Sequence, residues 1–195
     1  MTSRKPPGRT GPQSVYQLRV ELQHIEPRIW RTILVPHTLT LAKLDRVVQA
    51  AMGWTNSHLH DWRIEGKRYG PPNPEWDGPG EMLDERRFTV GAVLGEHIEA
   101  FAYEYDFGDG WDHRIVVEKR LKPEPEYNTW PMCIAGANAC PPEDVGGPPG
   151  YMDFVQAMRS STHEDHLQMW QWNGGPFDSA AFSINDANRA IQQLR

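Results

Sequence analysis

Residues 15–52 read VYQLRVELQHIEPRIWRTILVPHTLTLAKLDRVVQAAM, and the hydrophobic period changes partway through them. Over Val15–Leu22 it is two: Tyr16, Leu18, Val20 and Leu22 share one face, and Gln17, Arg19 and Glu21 the other, the signature of a half-buried strand. Arg28 to Val35 predicts a second strand beyond the Pro27 corner, with Ile29, Ile33 and Val35 on one side and Trp30 and Leu34 on the other. The short connection predicts that the two pair as a hairpin. From Leu41 the period becomes helical, placing Leu41, Leu44, Val47, Val48, Ala51 and Met52 on one stripe. Thr40 is the expected N-cap and Gly53 the expected stop.

Adding one more strand near Asp61–Tyr69 gives a β-β-α-β start that resembles the opening of a β-grasp, where a hairpin packs on a helix. Residues 70–86 read as a Pro/Gly-rich loop, followed by a short strand near Arg87–Val90. Glu99–Phe107 alternates again through Phe101, Tyr103, Tyr105 and Phe107, and His113–Arg120 carries Ile115, Val116 and Val117. Asp109-Gly110 between them is a tight-turn signal, so a second hairpin is expected. Residues 122–150 read as a long irregular loop. The last 45 residues turn helical: Tyr151–Arg159, then Glu164–Trp172 stopped by Gly174-Gly175, then a helix through Leu194 opened by Ser183 and Asp186 as a capping box. The fold class is therefore α+β: a mixed or antiparallel sheet with a β-grasp-like start, a second hairpin and short C-terminal helices. It forms one domain over 15–195 behind an arm, residues 1–14.

Twenty aromatic residues, eight of them Trp, supply a core in a chain of 195 residues. Twenty Lys and Arg stand against 26 Asp and Glu, net −6. The arm holds Arg4, Lys5 and Arg9 and no acid, which leaves 17 basic against 26 acidic residues in the body. An acidic body lacks the clustered cations of a broad nucleic-acid face. The arm, rich in Pro, Gly, Ser and Thr, reads as disordered and as a weak anchor for an anionic partner. No apolar run approaches the roughly 20 residues that cross a bilayer. The arm lacks the apolar segment of a secretory signal, and two cysteines are too few for a disulfide framework, so a reduced, cytoplasmic setting is expected.

Common catalytic signatures are absent: no phosphate loop, no nucleophile elbow, no dinucleotide fingerprint. His163-Glu164-Asp165-His166 is one residue short of the metalloprotease helix and reads as an exposed acidic helix start. His58 and His60, two apart at the beginning of a strand, point to one face and can offer two imidazoles to a metal; the alternative is two histidines bonded to loop carbonyls. Asp106, Asp109, Asp112 and His113 gather carboxylates and an imidazole around a hairpin tip, where they either hold a hard cation or cap the turn. Cys133 and Cys140 lack zinc-knuckle spacing; they either complete a discontinuous zinc site with His58 and His60 or pack as small reduced side chains under a loop. Tyr103, Tyr105, Trp111 and Trp130 form either a stacking surface or core.

Several of these segments together resemble one family. IWRTILVP, LDRVVQAAMGWTNSHLHDW, YEYDFGDGWDHRIVVEK, CIAGANACPPEDVGGPPGY and WNGGPFDSAAFSINDAN are similar, in this order, to motifs of the plasmid pRiA-type "ORF three" family, whose members are also labelled insertion-element passenger, TnpR-like proteins. The resemblance covers about residues 15–194. It implies a compact α+β domain carried on plasmids and mobile elements. It places His58, His60, Asp106, Gly108, Asp109, Trp111 and His113 within the family's motifs. Cys133, Gly136, Cys140, Glu143, Asp144, Gly146 and Gly147 belong to them too. The chemistry of strand exchange is not written in the chain: His60-Asp61-Trp62-Arg63 fits H-x-x-R, but no DNA-reading helix accompanies it.

Two functions are expected from these residues. The first is a non-catalytic module that binds a protein partner, or weakly a nucleic acid through the arm. The alternative is a metal-dependent hydrolase or nuclease-like enzyme whose divalent ion (zinc, magnesium or manganese) is held by the His/Asp cluster. A metal that merely holds loop 122–150 to the sheet is a third expectation.

Overall fold

Alternation in the first segment becomes β1 (Val15–Leu22), whose Leu18 and Val20 are wholly buried. β2 (Trp30–Pro36) runs antiparallel to it, with Glu21 opposite Trp30 and Val15 opposite Pro36. The computed structural model describes residues 14–72, 82–122 and 131–194. The expected arm (apart from Ser14), Trp130 and the middle of both long loops lie outside the described residues.

α1 (Leu41–Met52) follows as the spacing predicts. The Thr40 hydroxyl accepts the Lys43 N–H, and Gly53, at φ +124°, closes the helix. The helix buries its apolar stripe, and also Asp45 and Gln49, which an apolar-only pattern would leave outside.

The expected strand over 61–69 is two strands, β3 (His60–Ile64) and β4 (Lys67–Gly70), joined by Glu65 and Gly66, both at positive φ. This is the tight turn that suits the twist of a two-residue hairpin. β5 (Leu83–Asp84) lies parallel to β4. The strand expected near Arg87–Val90 is instead a single 3-10 turn (Glu85–Arg87) running into α2 (Val90–Leu94). The Thr89 hydroxyl accepts the Ala92 N–H and starts that helix, leaving only a bridge from Thr89 to Thr40 in strand pairing.

β6 (Ala100–Tyr105) and β7 (Trp111–Leu121) form the second hairpin, with Tyr105 opposite Trp111. The irregular loop contains one further strand, β8 (Met132–Ala137), paired with β2. Its small residues carried no strand period. The side-chain amide of Asn188 accepts the Cys133 N–H and donates to its carbonyl, both at 2.8 Å, and so occupies part of the outer edge. The eight strands among the described residues form one sheet, ordered β5-β4-β3-β6-β7-β1-β2-β8. The β-β-α-β order stands, but β6 and β7 separate β3 from the first hairpin.

α3 (Gly147–Arg159), α4 (His166–Trp172) and α5 (Ile184–Gln192) complete the chain. Ser183 caps α5 by accepting the Asp186 N–H. The core lies on one side of the sheet and includes Trp62, Tyr103, Tyr105, Trp111 and Ile115, so these aromatics are packing residues. Arg31 is buried there too. Its guanidinium donates to the carbonyls of Ala51, Trp30, Ala137 and Asn138 at 2.7–2.9 Å and lies 4.1 Å over Phe182. Gly136 makes room for that stack, since an added Cβ would overlap both Phe182 and Arg31. No helix among the described residues is long and apolar enough to cross a membrane.

Candidate metal centre

Three connections meet at one end of β3 and β6. The first is the segment before β3, which carries His58. The second is the β6–β7 turn, which begins at Asp106. The third is the segment before α3, which carries Glu143 and Asp144. The Asp106 N–H donates to the Leu59 carbonyl at 2.9 Å, extending the β3–β6 pairing beyond its last residue pair, His60 with Tyr105. That register sets His58 beside Asp106.

Asp106 adopts φ +56°, a left-handed conformation that Asp tolerates better than most residues. Its Oδ1 accepts the Gly108 N–H at 2.9 Å, holding the turn, while Oδ2 faces His58 Nε2 at 3.6 Å. Asp144, at φ +58°, brings Oδ1 to 3.2 Å from the same nitrogen, and Glu143 Oε2 stands 3.9 Å from it. One ligand atom each from His58, Asp106 and Asp144 lies within 4.8 Å of the others. His58 Nε2 is buried and makes no hydrogen bond among the described residues. Asp106 is shielded, whereas the Asp144 side chain is 73% exposed, so the cluster opens to solvent on the Asp144 side.

Glu143 is held from behind. Its Oε1 accepts from the Thr55 N–H (2.8 Å), the Thr55 hydroxyl (3.0 Å) and the Tyr105 hydroxyl (3.0 Å). Tyr105 in turn accepts the Ser57 N–H at 3.1 Å and stacks on Trp54, with ring centroids 4.7 Å apart. Burial and the neighbouring Glu143 charge push its phenol well above the ordinary range. The loop is clamped to the β6–β7 turn: Asp109 Oδ2 accepts the Gly146 N–H at 3.1 Å, and Gly147, at φ +68°, lies on the Asp109 carbonyl, where a Cβ would collide.

The other expected ligands lie elsewhere. His60 sits inside, its Nε2 2.9 Å from Glu85 and its Nδ1 3.3 Å from Asp45, which also accepts from Tyr103 and Gln49. Burial alone would lower the His60 pKa, but the Glu85 hydrogen bond and the Asp45 charge raise it; burial raises that of Asp45. Asp109 holds the loop, and Asp112 lies 4.0 Å from Arg63. His113 is enclosed. Its Nδ1 reaches the Tyr103 carbonyl at 3.3 Å, Trp54 meets it edge-on, and burial lowers its pKa to about 4.

Cys133 and Cys140 carry free thiols whose pKa values burial raises, the opposite of what a thiolate ligand needs. In H-x-x-R, His60 faces inward while Arg63 is exposed and pairs with Glu104, so the two do not form one site. Among the described residues the structure thus joins His58 and Asp106 from the expected set and adds Asp144, with Glu143 beside it. Asp144, 38 residues from Asp106, was marked only by the family motifs. Nothing in local spacing connects these positions.

Comparison with known proteins agrees with the motif order. A family model described as "Plasmid pRiA4b ORF-3-like protein" matches residues 14–186. An uncharacterised protein of Sinorhizobium fredii, y4hQ, is 43% identical over 185 residues, covering 93% of this chain and 92% of its own. The crystal structure of MM3350, a protein of unknown function from Methanosarcina mazei Go1, superposes with a TM-score of 0.81 at 30% identity, covering 90% of this chain and 98% of its own.

Proposed function

The chain belongs to the plasmid pRiA4b ORF-3-like protein family, and from that premise we propose that it is a divalent-metal-dependent hydrolase with His58, Asp106 and Asp144 as ligands. One observation carries the reading: a buried imidazole nitrogen without a hydrogen-bond partner among the described residues faces carboxylate oxygens from two separate segments. Buried polar atoms are ordinarily paired, and a cation shared by the three groups would satisfy all of them. One nitrogen and two oxygens suit manganese or zinc; magnesium prefers oxygen alone. Three protein ligands leave positions for water and substrate. Held by His58, Asp106 and Asp144, such an ion would lower the pKa of water to about 7 and so supply hydroxide at neutral pH. Glu143, which accepts the Tyr105 hydroxyl on both carboxylate oxygens and keeps Oε2 3.9 Å from His58 Nε2, would be the carboxylate nearest to such a water.

The test is titration calorimetry of chelator-treated protein with Mn²⁺ and Zn²⁺. One ion per chain is expected, with affinity reduced about tenfold or more in H58A and in D106N. Failure of the wild type to bind, or equal binding by H58A, would overturn the site. Metal-dependent turnover of ester and phosphodiester test substrates should vanish in H58A. Binding without turnover would instead support a metal that only holds the 143–147 segment.

A second reading, an interaction module of the cytoplasm, is favoured by α4, which buries no residue and leaves Leu167 63% and Trp170 43% exposed. L167E/W170E should abolish partner capture and leave metal binding intact. Nucleic-acid binding through Arg4, Lys5 and Arg9 belongs to this reading. Unchanged binding after deletion of residues 1–14 would exclude it.

A further inference from the structure

A buried phenol is a costly way to fill a core, because phenylalanine packs as well and brings no hydroxyl to satisfy. Tyr105 is wholly buried at the end of β6. Strand register sets it between Trp111 on β7 and His60 on β3, and its ring stacks on Trp54. The partners of its hydroxyl lie in the metal centre. The oxygen accepts the N–H of Ser57, one residue before His58, at 3.1 Å, and donates to Glu143, 3.0 Å from Oε1 and 3.2 Å from Oε2. The His58 and Tyr105 rings stand nearly perpendicular, with centroids 5.9 Å apart. One side chain therefore touches both the segment before β3 and the segment before α3.

Thr55 does not orient Glu143 by itself. Its N–H and its hydroxyl both meet Oε1, at 2.8 and 3.0 Å. A carboxylate held by one oxygen still swings its other oxygen about that point. A donor lying between the two oxygens removes this freedom, and the Tyr105 hydroxyl occupies that place. Oε2 is left facing the cluster, 3.9 Å from His58 Nε2. Trp54 adds a second hold on the same stretch of chain, since its indole N–H donates to the Pro141 carbonyl at 3.1 Å. The stacked pair thus grips the loop at residues 141 and 143. A donor on a paired strand, itself locked by packing, fixes a loop carboxylate more firmly than a donor on another loop.

We propose that Tyr105 is a positioning residue of the metal centre, its hydroxyl fixing Glu143 Oε2 toward the ion held by His58, Asp106 and Asp144. The role rests on the metal-centre reading. Groups that orient the charged neighbours of an ion change its affinity by about tenfold or more.

The experiment is Mn²⁺ calorimetry and urea denaturation on the full chain as wild type, Y105F, E143Q and Y105F/E143Q. Y103F is the comparison, because the Tyr103 hydroxyl is equally buried but donates to Asp45, at 2.6 Å, away from the cluster. Y105F and Y103F should both lower the urea midpoint, and only Y105F should weaken Mn²⁺ binding, by about tenfold. E143Q should weaken it too, and Y105F/E143Q should bind no more weakly than E143Q, because the hydroxyl acts through Glu143. Wild-type affinity in Y105F, equal weakening in Y103F, or additive losses in the double variant overturns the role of Tyr105 alone. A wild type that takes up no Mn²⁺ overturns the metal centre and this role with it. Mn²⁺ uptake without turnover of ester or phosphodiester substrates overturns the hydrolase reading alone.

Discussion

Acidification should unfold this protein partly through His113. The side chain is fully enclosed, with Trp54 against its edge and the Tyr103 carbonyl on Nδ1, and burial lowers its pKa from 6.5 to about 4. The folded state therefore keeps His113 neutral where the unfolded chain already binds a proton. A group with a depressed pKa contributes its full stability above the unfolded value and loses it as pH falls toward the folded value. The window is pH 6.5 down to about 4, and the gap corresponds to about 3 kcal/mol. Other groups titrate across the same range. His60, whose pKa is raised, contributes in the opposite sense, stabilising below its unfolded value and losing that as pH rises through the folded one. The quantity to measure is therefore a difference. Urea denaturation of wild type and H113F, at pH values from about 7.5 to about 4.5, should show the wild type losing about 2–3 kcal/mol more than the variant. Parallel curves would refute the enclosure argument. Loss of metal binding in H113F would restore His113 to the ligands.

Gly147→Ala should destabilise the protein by about 2–4 kcal/mol, from the positive φ and the collision with the Asp109 carbonyl, and weaken Mn²⁺ binding at the same time; a denaturation midpoint near wild type would contradict this. Arg31→Lys should cost about 2–4 kcal/mol, since one ammonium cannot replace a planar fork that serves carbonyls on α1, β2 and the end of β8. Retention of wild-type stability in urea would show that the fork is dispensable.

Where hydrophobic period and cap chemistry agree, the sequence is legible: β1, α1 with Thr40 and Gly53, the β6–β7 hairpin and the Ser183 cap all stand where the residues place them. β8 was hidden because Gly and Ala give no contrast between faces, and its place depends on β2 and on Asn188, 55 residues away from Cys133. Asp45 shows the limit of polarity as a guide to exposure. It is buried on α1 because Tyr103, Gln49 and His60 surround it, partners that come partly from other elements.

The pairing of His58 with His60 fails for a related reason. Side chains two apart share a face only within a strand, and β3 begins at His60. His60 obeys the pleat and turns inward to Glu85, whereas His58 lies before it and turns to the neighbouring strand's end. That neighbour is β6, and the Leu59–Asp106 hydrogen bond carries their register one step past the sheet, so two ligands of the proposed centre follow from strand pairing alone. The third does not. Asp144 reaches the cluster because Gly146 and Gly147 fasten its loop to Asp109, a contact that requires a residue without a side chain on the carbonyl. The sheet thus presents half of the centre and the loop completes it. Displacing the loop should impair the metal site and leave the β3–β6 pairing in place.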